Sequence, residues 1–235
     1  MKIIYEDTDI LALNKPAGLL VHHTSKNEKE ETLTDWLVKN YPEVSNVGDD
    51  PENRPGIVHR LDKDTSGVIV VARNKESFEY LKTQFQEMAV EKTYHAIVFG
   101  SPKNDNGVIE GTISLKPGTT KRTVHRGKMP KEAVTEYKVL ERFENAALVE
   151  IYPKTGRTHQ VRVHLASINH PVFGDNLYSS KTSRKIFIPK LERQMLHAYR
   201  VVFSKANGKK ITLLAEEPDD FKAVLQYLRK TPKLQ

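Results

Sequence analysis

The run GVIVVAR, Gly67 to Arg73, restricts the fold more than any other part of the chain. It is short, apolar without interruption and rich in β-branched residues, so it reads as a strand buried on both faces. A segment that leads into such a strand lies at the end of a sheet, where loops commonly carry functional side chains. Here the leading segment is HRLDKDTSG, His59 to Gly67, which crowds basic and acidic residues against the apolar run.

The pattern around it alternates strands and helices. KIIYEDTDILALNKPAG predicts a hairpin of strands Lys2 to Tyr5 and Asp9 to Leu13, with Asp7 and Thr8 in the turn and Pro16-Ala17-Gly18 closing the second strand. A short helix follows in TLTDWLVKNY, with Leu33, Trp36 and Leu37 on one face and Pro42 ending it. Asn74 caps a helix whose Phe78, Leu81, Phe85 and Met88 form an apolar stripe. Four strands then succeed one another between turn residues, VEKTYHAIVFG, GVIEGTISL, AVTEYKVLERF and AALVEIYP, and predict a β-meander. RTHQVRVHLASIN is a helix with Val161, Leu165 and Ile168 on its buried side, halted before Pro171. A hairpin turning at Asn207-Gly208 and a helix opened by Pro218, Asp219 and Asp220 complete the chain. Strands and helices interleave without a linker, which predicts a single α+β domain over residues 1–235.

Composition narrows the chemistry. Thirty-seven Lys and Arg against 30 Asp and Glu give a net charge of +7, which favours a polyanionic partner. The absence of cysteine removes disulfides, thiolate metal sites and the Cys-ligated zinc deaminases. ILAL is broken at Asn14, Lys15 and Pro16, and no segment is long and apolar enough to span a bilayer, so the expectation is a soluble cytoplasmic protein without membrane partners. The basic residues also cluster. Lys116, Lys121, Arg122, Arg126, Lys128 and Lys131 lie in a stretch without an acid, and Lys181, Arg184, Lys185, Lys190 and Arg193 form a second group relieved only by Glu192. Single-sign runs of this kind suit contact with RNA phosphates, although neither holds the paired aromatics of a passive single-strand binder.

Asp62 stands out among the candidates for chemistry, because Thr65, Ser66 and Gly67 can fix its loop and Arg60 lies two residues away. A metal site is not indicated: His159 and His164 are five apart, where a helical ligand pair needs four and a further ligand. The chain has no Walker loop, no G-x-G-x-x-G and no G-x-S-x-G, so nucleotide hydrolysis, dinucleotide redox chemistry and α/β-hydrolase chemistry lack their parts.

HRLDKDTSG, EKTYHAIVFG, GRTHQVRVHLA with HPVFGDNLY, and MLHAYRVVF occur in an order and spacing that resembles the RluA-type RNA pseudouridine synthases, as does the opening EDTDILALNKPAGLLVH. The resemblance covers about residues 3 to 215 and implies an α+β fold with a mixed, largely antiparallel sheet flanked by helices and loops. It implies an isomerase that breaks the N-glycosidic bond of a uridine in RNA, turns the uracil and joins C5 to C1′, with no cofactor and no metal. By motif position Asp62 is the essential aspartate, a nucleophile or a base according to whether the route is attack at uracil C6, attack at C1′ or a glycal route begun at C2′. Arg162 matches the arginine that keeps this carboxylate ionised against desolvation. Tyr94 matches the tyrosine that stacks on the target base, Leu196 an apolar residue on the other face of that base, and Arg60 the cation that fills the space left by the flipped nucleotide. Lys121, Arg122 and Arg126 are the candidate contacts to RNA outside these motifs. Lys63 and Asp64 are expected in solvent and His59 as packing for the loop.

Many members of that family carry an S4-type RNA-binding domain before the catalytic one, whereas the matched strands begin here at residue 3. A standalone, monomeric catalytic domain acting on a tRNA or large-subunit rRNA stem-loop is therefore expected. The competing reading is a non-catalytic RNA-binding or chaperone protein that retains the fold, and Asp62, Tyr94 and Arg162 together weigh against it. A retaining glycosidase lacks a second acid in any matched motif.

Overall fold

The computed structural model describes residues 1–23, 30–119, 121–125, 127–179 and 191–230. Its elements in chain order are β1 (Lys2–Glu6), β2 (Ile10–Lys15), α1 (Leu33–Asn40), β3 (Ser66–Ala72), α2 (Lys75–Gln86), β4 (Glu91–Phe99), β5 (Asn106–Leu115), β6 (Arg122–Thr123), β7 (Lys128–Arg142), β8 (Ala146–Pro153), α3 (Gln160–Ser167), β9 (Leu196–Ser204), β10 (Lys210–Leu214) and α4 (Asp219–Lys230). The chain divides into two compact units, one of Met1–Glu91 with Ala198–Glu216 and one of Lys92–His197 with Glu217–Gln235. Each is a mixed α+β assembly, the class expected, and the pairs β1–β2, β2–β3 and β9–β10 of the first and β4–β8, β5–β7 and β7–β8 of the second are antiparallel.

In the first unit β1 and β2 form the expected hairpin, because the Asp7 carboxylate accepts hydrogen bonds from the amides of Asp9 (2.9 Å) and Ile10 (2.8 Å) and closes the turn. β2 pairs with β3, β3 neighbours β9, and β9 pairs with β10 across the Asn207-Gly208 turn, where Gly208 takes a φ of 78°. All seven residues of β3 are buried, as its composition requires. Gly67 at its start has a φ of 120°, and a Cβ there would stand 2.2 Å from the carbonyl oxygen of Ala198. The two strands meet backbone to backbone at that point, and glycine is the residue that permits it. Asn74 and Ser77 form a reciprocal capping box that starts α2, and Thr32 and Asp35 do the same for α1. Phe78 and Leu81 are buried from α2, but the helix ends at Gln86, and Met88 lies past it with a φ of 60° and 57% exposure. The expected apolar stripe is thus one residue shorter, because the backbone turns left-handed before Met88 can reach the core.

The second unit orders its strands β4-β8-β7-β5-β6. This corrects the meander: β4 lies beside β8, with Tyr94 opposite Ile151 and Phe99 opposite Ala146, and not beside β5. The basic stretch from Lys116 to Lys131 includes β6 and the first residues of β7, both paired to β5. Val161 and Leu165 of α3 and Phe221, Val224 and Leu225 of α4 pack with Ile97, Val149 and Ile151 in its core. α3 stops where Asn169 takes a φ of 65°, the amide of Asn169 donating to Ala166 O (3.0 Å) and that of His170 to Leu165 O (2.9 Å). That pair of bonds is a Schellman ending, with asparagine in the left-handed position.

Candidate active site

Asp62 begins a tight turn in the first unit, in which the amide of Thr65 donates to Asp62 O at 3.1 Å. The turn is therefore Asp62 to Thr65, and Ser66 and Gly67, expected within it, already belong to β3. The backbone of this loop is tied down by a lysine that sequence reasoning passed over. Lys15 has no exposed surface, and its ammonium donates to the carbonyls of Pro16 (2.8 Å), Leu19 (2.7 Å) and Lys63 (2.9 Å). The amide of Gly18 donates to the same Lys63 carbonyl at 3.0 Å. A buried ammonium requires such satisfaction. The signal in the sequence is a lysine ending an apolar strand directly before Pro16, where the chain must turn. Asp62 itself is half-buried and Asp64 is exposed as expected, whereas Lys63 also forms an ion pair with Glu30.

His59 packs the loop. Its Nε2 accepts from the amide of Val70 at 2.8 Å, and its ring stacks on Phe85 with centroids 4.6 Å apart. Arg60 is exposed, with Nη1 3.3 Å from Nε2 of His22. A guanidinium can only donate, so His22 accepts through Nε2 and carries its proton on Nδ1, which is buried without a partner among the described residues. Burial, and next the Arg60 charge, push the His22 pKa down to about 4, so this imidazole stays neutral beside the arginine.

In the second unit Arg162 is not the surface residue that a helical arginine usually is. It is 7% exposed, and Nε and Nη2 donate to the two oxygens of Asp175 at 2.7 and 2.9 Å. Asp175 has no exposed side-chain surface and also accepts from the amides of Leu177 (2.9 Å) and Tyr178 (3.1 Å). Four hydrogen bonds, two of them from the bidentate guanidinium, hold this buried carboxylate. The Arg162 guanidinium lies over the Tyr178 ring, 5.2 Å from its centroid. Its helix is aimed by Gln160, 4% exposed, which accepts from Thr155 Oγ1 (2.7 Å) and the Arg157 amide (2.9 Å) and donates to Val134 O and Thr135 Oγ1 (both 3.0 Å). Neither Asp175 nor Gln160 was singled out by sequence, although an Asp two and three residues before Leu177 and Tyr178 is the spacing of an Asx turn.

Tyr94 is half-buried on β4 and packs against the apolar cluster that contains Leu196, which is 3% exposed. Lys92 lies two residues before Tyr94 on the same face of the strand, and burial lowers its pKa. Of the basic candidates, Lys121 donates to Leu177 O at 3.3 Å, Arg122 is half-buried, and Arg126 lies outside the described residues. In the second basic cluster residues 181–190 also lie outside them. Arg193 is corrected: it is 9% exposed and bound in bidentate fashion to Asp220 (2.6 and 2.9 Å), so it braces α4 and does not meet RNA phosphate. Among the described residues no three His, Asp or Glu side chains are grouped to hold a metal ion, and no helix is long and apolar enough to cross a membrane.

Two largely antiparallel α+β units, a tethered aspartate turn and a buried helical arginine delimit a class of enzyme, and comparison with known proteins names it. Residues 9–167 match the RNA pseudouridylate synthase family, and the chain belongs to it; it is an isomerase that acts on RNA. It is 43% identical over 234 residues to an uncharacterised RNA pseudouridine synthase of Aquifex aeolicus, covering 97% of this chain and 73% of that one. It is 39% identical over 241 residues to ribosomal large subunit pseudouridine synthase D of Nitrosomonas europaea, covering 99% of this chain and 66% of the relative. The solved structure of human RNA pseudouridylate synthase domain containing 4 is similar at a TM-score of 0.78 and 29% identity, over 97% of this chain and 93% of that one.

Proposed function

We propose that this enzyme converts specific uridines of large-subunit ribosomal RNA or tRNA to pseudouridine in the cytoplasm, acting as a monomer. Asp62 is the essential group, and Tyr94, Arg162, Arg60 and Leu196 act in the roles that the family motifs give them. The target nucleotide is flipped out of its RNA fold, which requires unstacking of about a few kcal/mol. The observation that carries the reading is the burial of Arg162 under a bidentate carboxylate. Burying an ion pair seldom stabilises a fold more than an apolar pair would, so fixing a guanidinium in this way is better explained by a task at that place. Similarity to relatives named as ribosomal large subunit pseudouridine synthases supports trying ribosomal RNA first.

The test is tritium release from RNA labelled at uracil C5, using ribosomal RNA and total tRNA in parallel with wild type and Asp62→Ala. Release by the wild type alone is expected, from the ribosomal pool first. Release that persists in Asp62→Ala would remove Asp62 from the chemistry. If both proteins retain RNA yet neither releases tritium, the non-catalytic RNA-binding reading replaces this one.

A further inference from the structure

The second unit contains a junction that the family roles above leave unused. β6 reaches the loop after α3 through one hydroxyl: the amide of Arg122 donates to Tyr178 Oη at 2.9 Å, and Tyr178 Oη lies 2.8 Å from Nδ1 of His159. With the Arg122 amide on one lone pair, the phenol proton is available for His159, so the hydroxyl is held by the strand on one side and the entry to α3 on the other. His159 holds a φ of 57°, a left-handed conformation uncommon for a residue with a side chain, at the first turn of the helix that bears Arg162. The Tyr178 ring lies beneath Arg162, and the Tyr178 amide is bound by Asp175, which also grips Arg162. Lys121 adds a second link to the loop through Leu177 O. One tyrosine therefore touches the basic strand, the helix start and the buried guanidinium.

Arg122 gives this junction a direction. Its backbone is fixed by Tyr178 and by pairing with Leu115, yet its Nε is sheltered and makes no hydrogen bond among the described residues. Sheltered donors are almost always paired, so a half-buried guanidinium on a fixed backbone whose Nε is unmet is suited to a partner that arrives with the substrate. The partner that matches it is a phosphate oxygen, which a guanidinium recognises with directed, charge-assisted bonds.

We propose that Tyr178 is a positioning residue that registers the basic strand on the Arg162 loop, so that Arg122 meets an RNA phosphate from a set position while Arg162 is kept in place beneath. The proposal rests on the pseudouridine synthase reading for the task of Arg162, but its binding half stands on RNA contact alone. Tyr178→Phe separates the two functions of the side chain, because it keeps the ring under Arg162 and removes the hydroxyl from Arg122 and His159.

The experiment measures retention of labelled large-subunit ribosomal RNA across a salt series for wild type, Tyr178→Phe, Arg122→Ala and the double variant, and tritium release for the same set with Tyr178→Ala added. Arg122→Ala is expected to flatten the plot of log affinity against log salt by about 0.7 to 0.9, one phosphate contact. Tyr178→Phe is expected to weaken binding roughly fivefold, the effect of one hydrogen bond. In the Tyr178→Phe background, Arg122→Ala should cost clearly less than in the wild type, because the strand that presents it is already loose. In turnover, Tyr178→Phe should raise KM by a larger factor than it lowers kcat, and Tyr178→Ala, which also uncovers Arg162, should depress kcat as well. Independent, multiplying effects of Arg122→Ala and Tyr178→Phe on binding would overturn the proposal, as would wild-type affinity in Tyr178→Phe. Absence of tritium release from the wild type would count against the isomerase reading and leave the binding comparison to decide this one.

Discussion

The two units hold their candidate side chains by opposite means. In the first, Lys15 fastens the Asp62 loop through backbone carbonyls; in the second, Asp175 fastens Arg162 through its side chain. Both devices bury a charge, and the difference lies in what each leaves behind when it is removed. Without Lys15, carbonyl dipoles lose their donor. Without Asp175, a full positive charge stays in a place with almost no water, which is the costlier vacancy.

That contrast predicts the largest effect for Asp175→Ala, about 3 to 5 kcal/mol of stability in urea unfolding, because it strands the Arg162 charge. The double variant Arg162→Met with Asp175→Leu should recover most of this loss and still release no tritium, which would separate the pair's value for the fold from its value for the reaction. A cost below about 1 kcal/mol for Asp175→Ala would place Arg162 among ordinary exposed pairs and dissolve the contrast. Lys15→Met comes next, at about 2 to 3 kcal/mol, since it keeps an apolar stem of similar length but leaves buried acceptors without a donor. Activity should fall by more than the folded fraction does, and equal falls would mean that Lys15 serves the fold alone.

The smallest effect is expected from pH, and it tests the units side by side. Each has a buried histidine whose pKa is pushed by burial down to about 4 from an ordinary 6.5, His22 in the first and His164 in the second. A neutral form favoured in the folded state means that the unfolded chain binds protons first. Neither histidine should affect stability above pH 6.5, and both should erode it as pH falls from 6.5 towards 4. At pH 5 the loss should be on the order of 1 kcal/mol for each. His22→Gln and His164→Gln should each flatten that limb of a urea-midpoint profile. The carboxylate of Glu217, lowered to about 2 from 4.5 chiefly by its hydrogen bond from His95, acts at more acidic pH and should not obscure the test.

Legibility in the sequence followed the range of the interaction that decides each feature. The opening hairpin, β3, the Asn74 cap and the Asn207-Gly208 turn depend on neighbours within a few residues, and each was readable from them. The placing of β4 beside β8 depends on pairing across some fifty residues, which leaves no local trace, so consecutive strands suggested a meander. Met88 was misread because its spacing suits a helix that the backbone has already left. At the site, motif order drew attention to Asp62, Tyr94 and Arg162. Lys15, Gln160 and Asp175 went unnoticed because their importance lies in burial, and a charged or amide side chain in a sequence looks solvated by default. Arg193 shows the same default in reverse, a basic residue counted toward an RNA surface that in fact braces α4.

The tether on the Asp62 loop has a further consequence for how such an enzyme can diversify. Lys15 grips Pro16, Leu19 and Lys63 by their carbonyls, a group that every amino acid possesses. The grip is therefore blind to the identity of the residues it holds. Leu19 and Lys63 can be exchanged for other side chains, and the loop surface rewritten for a different RNA, without the anchor being rebuilt each time.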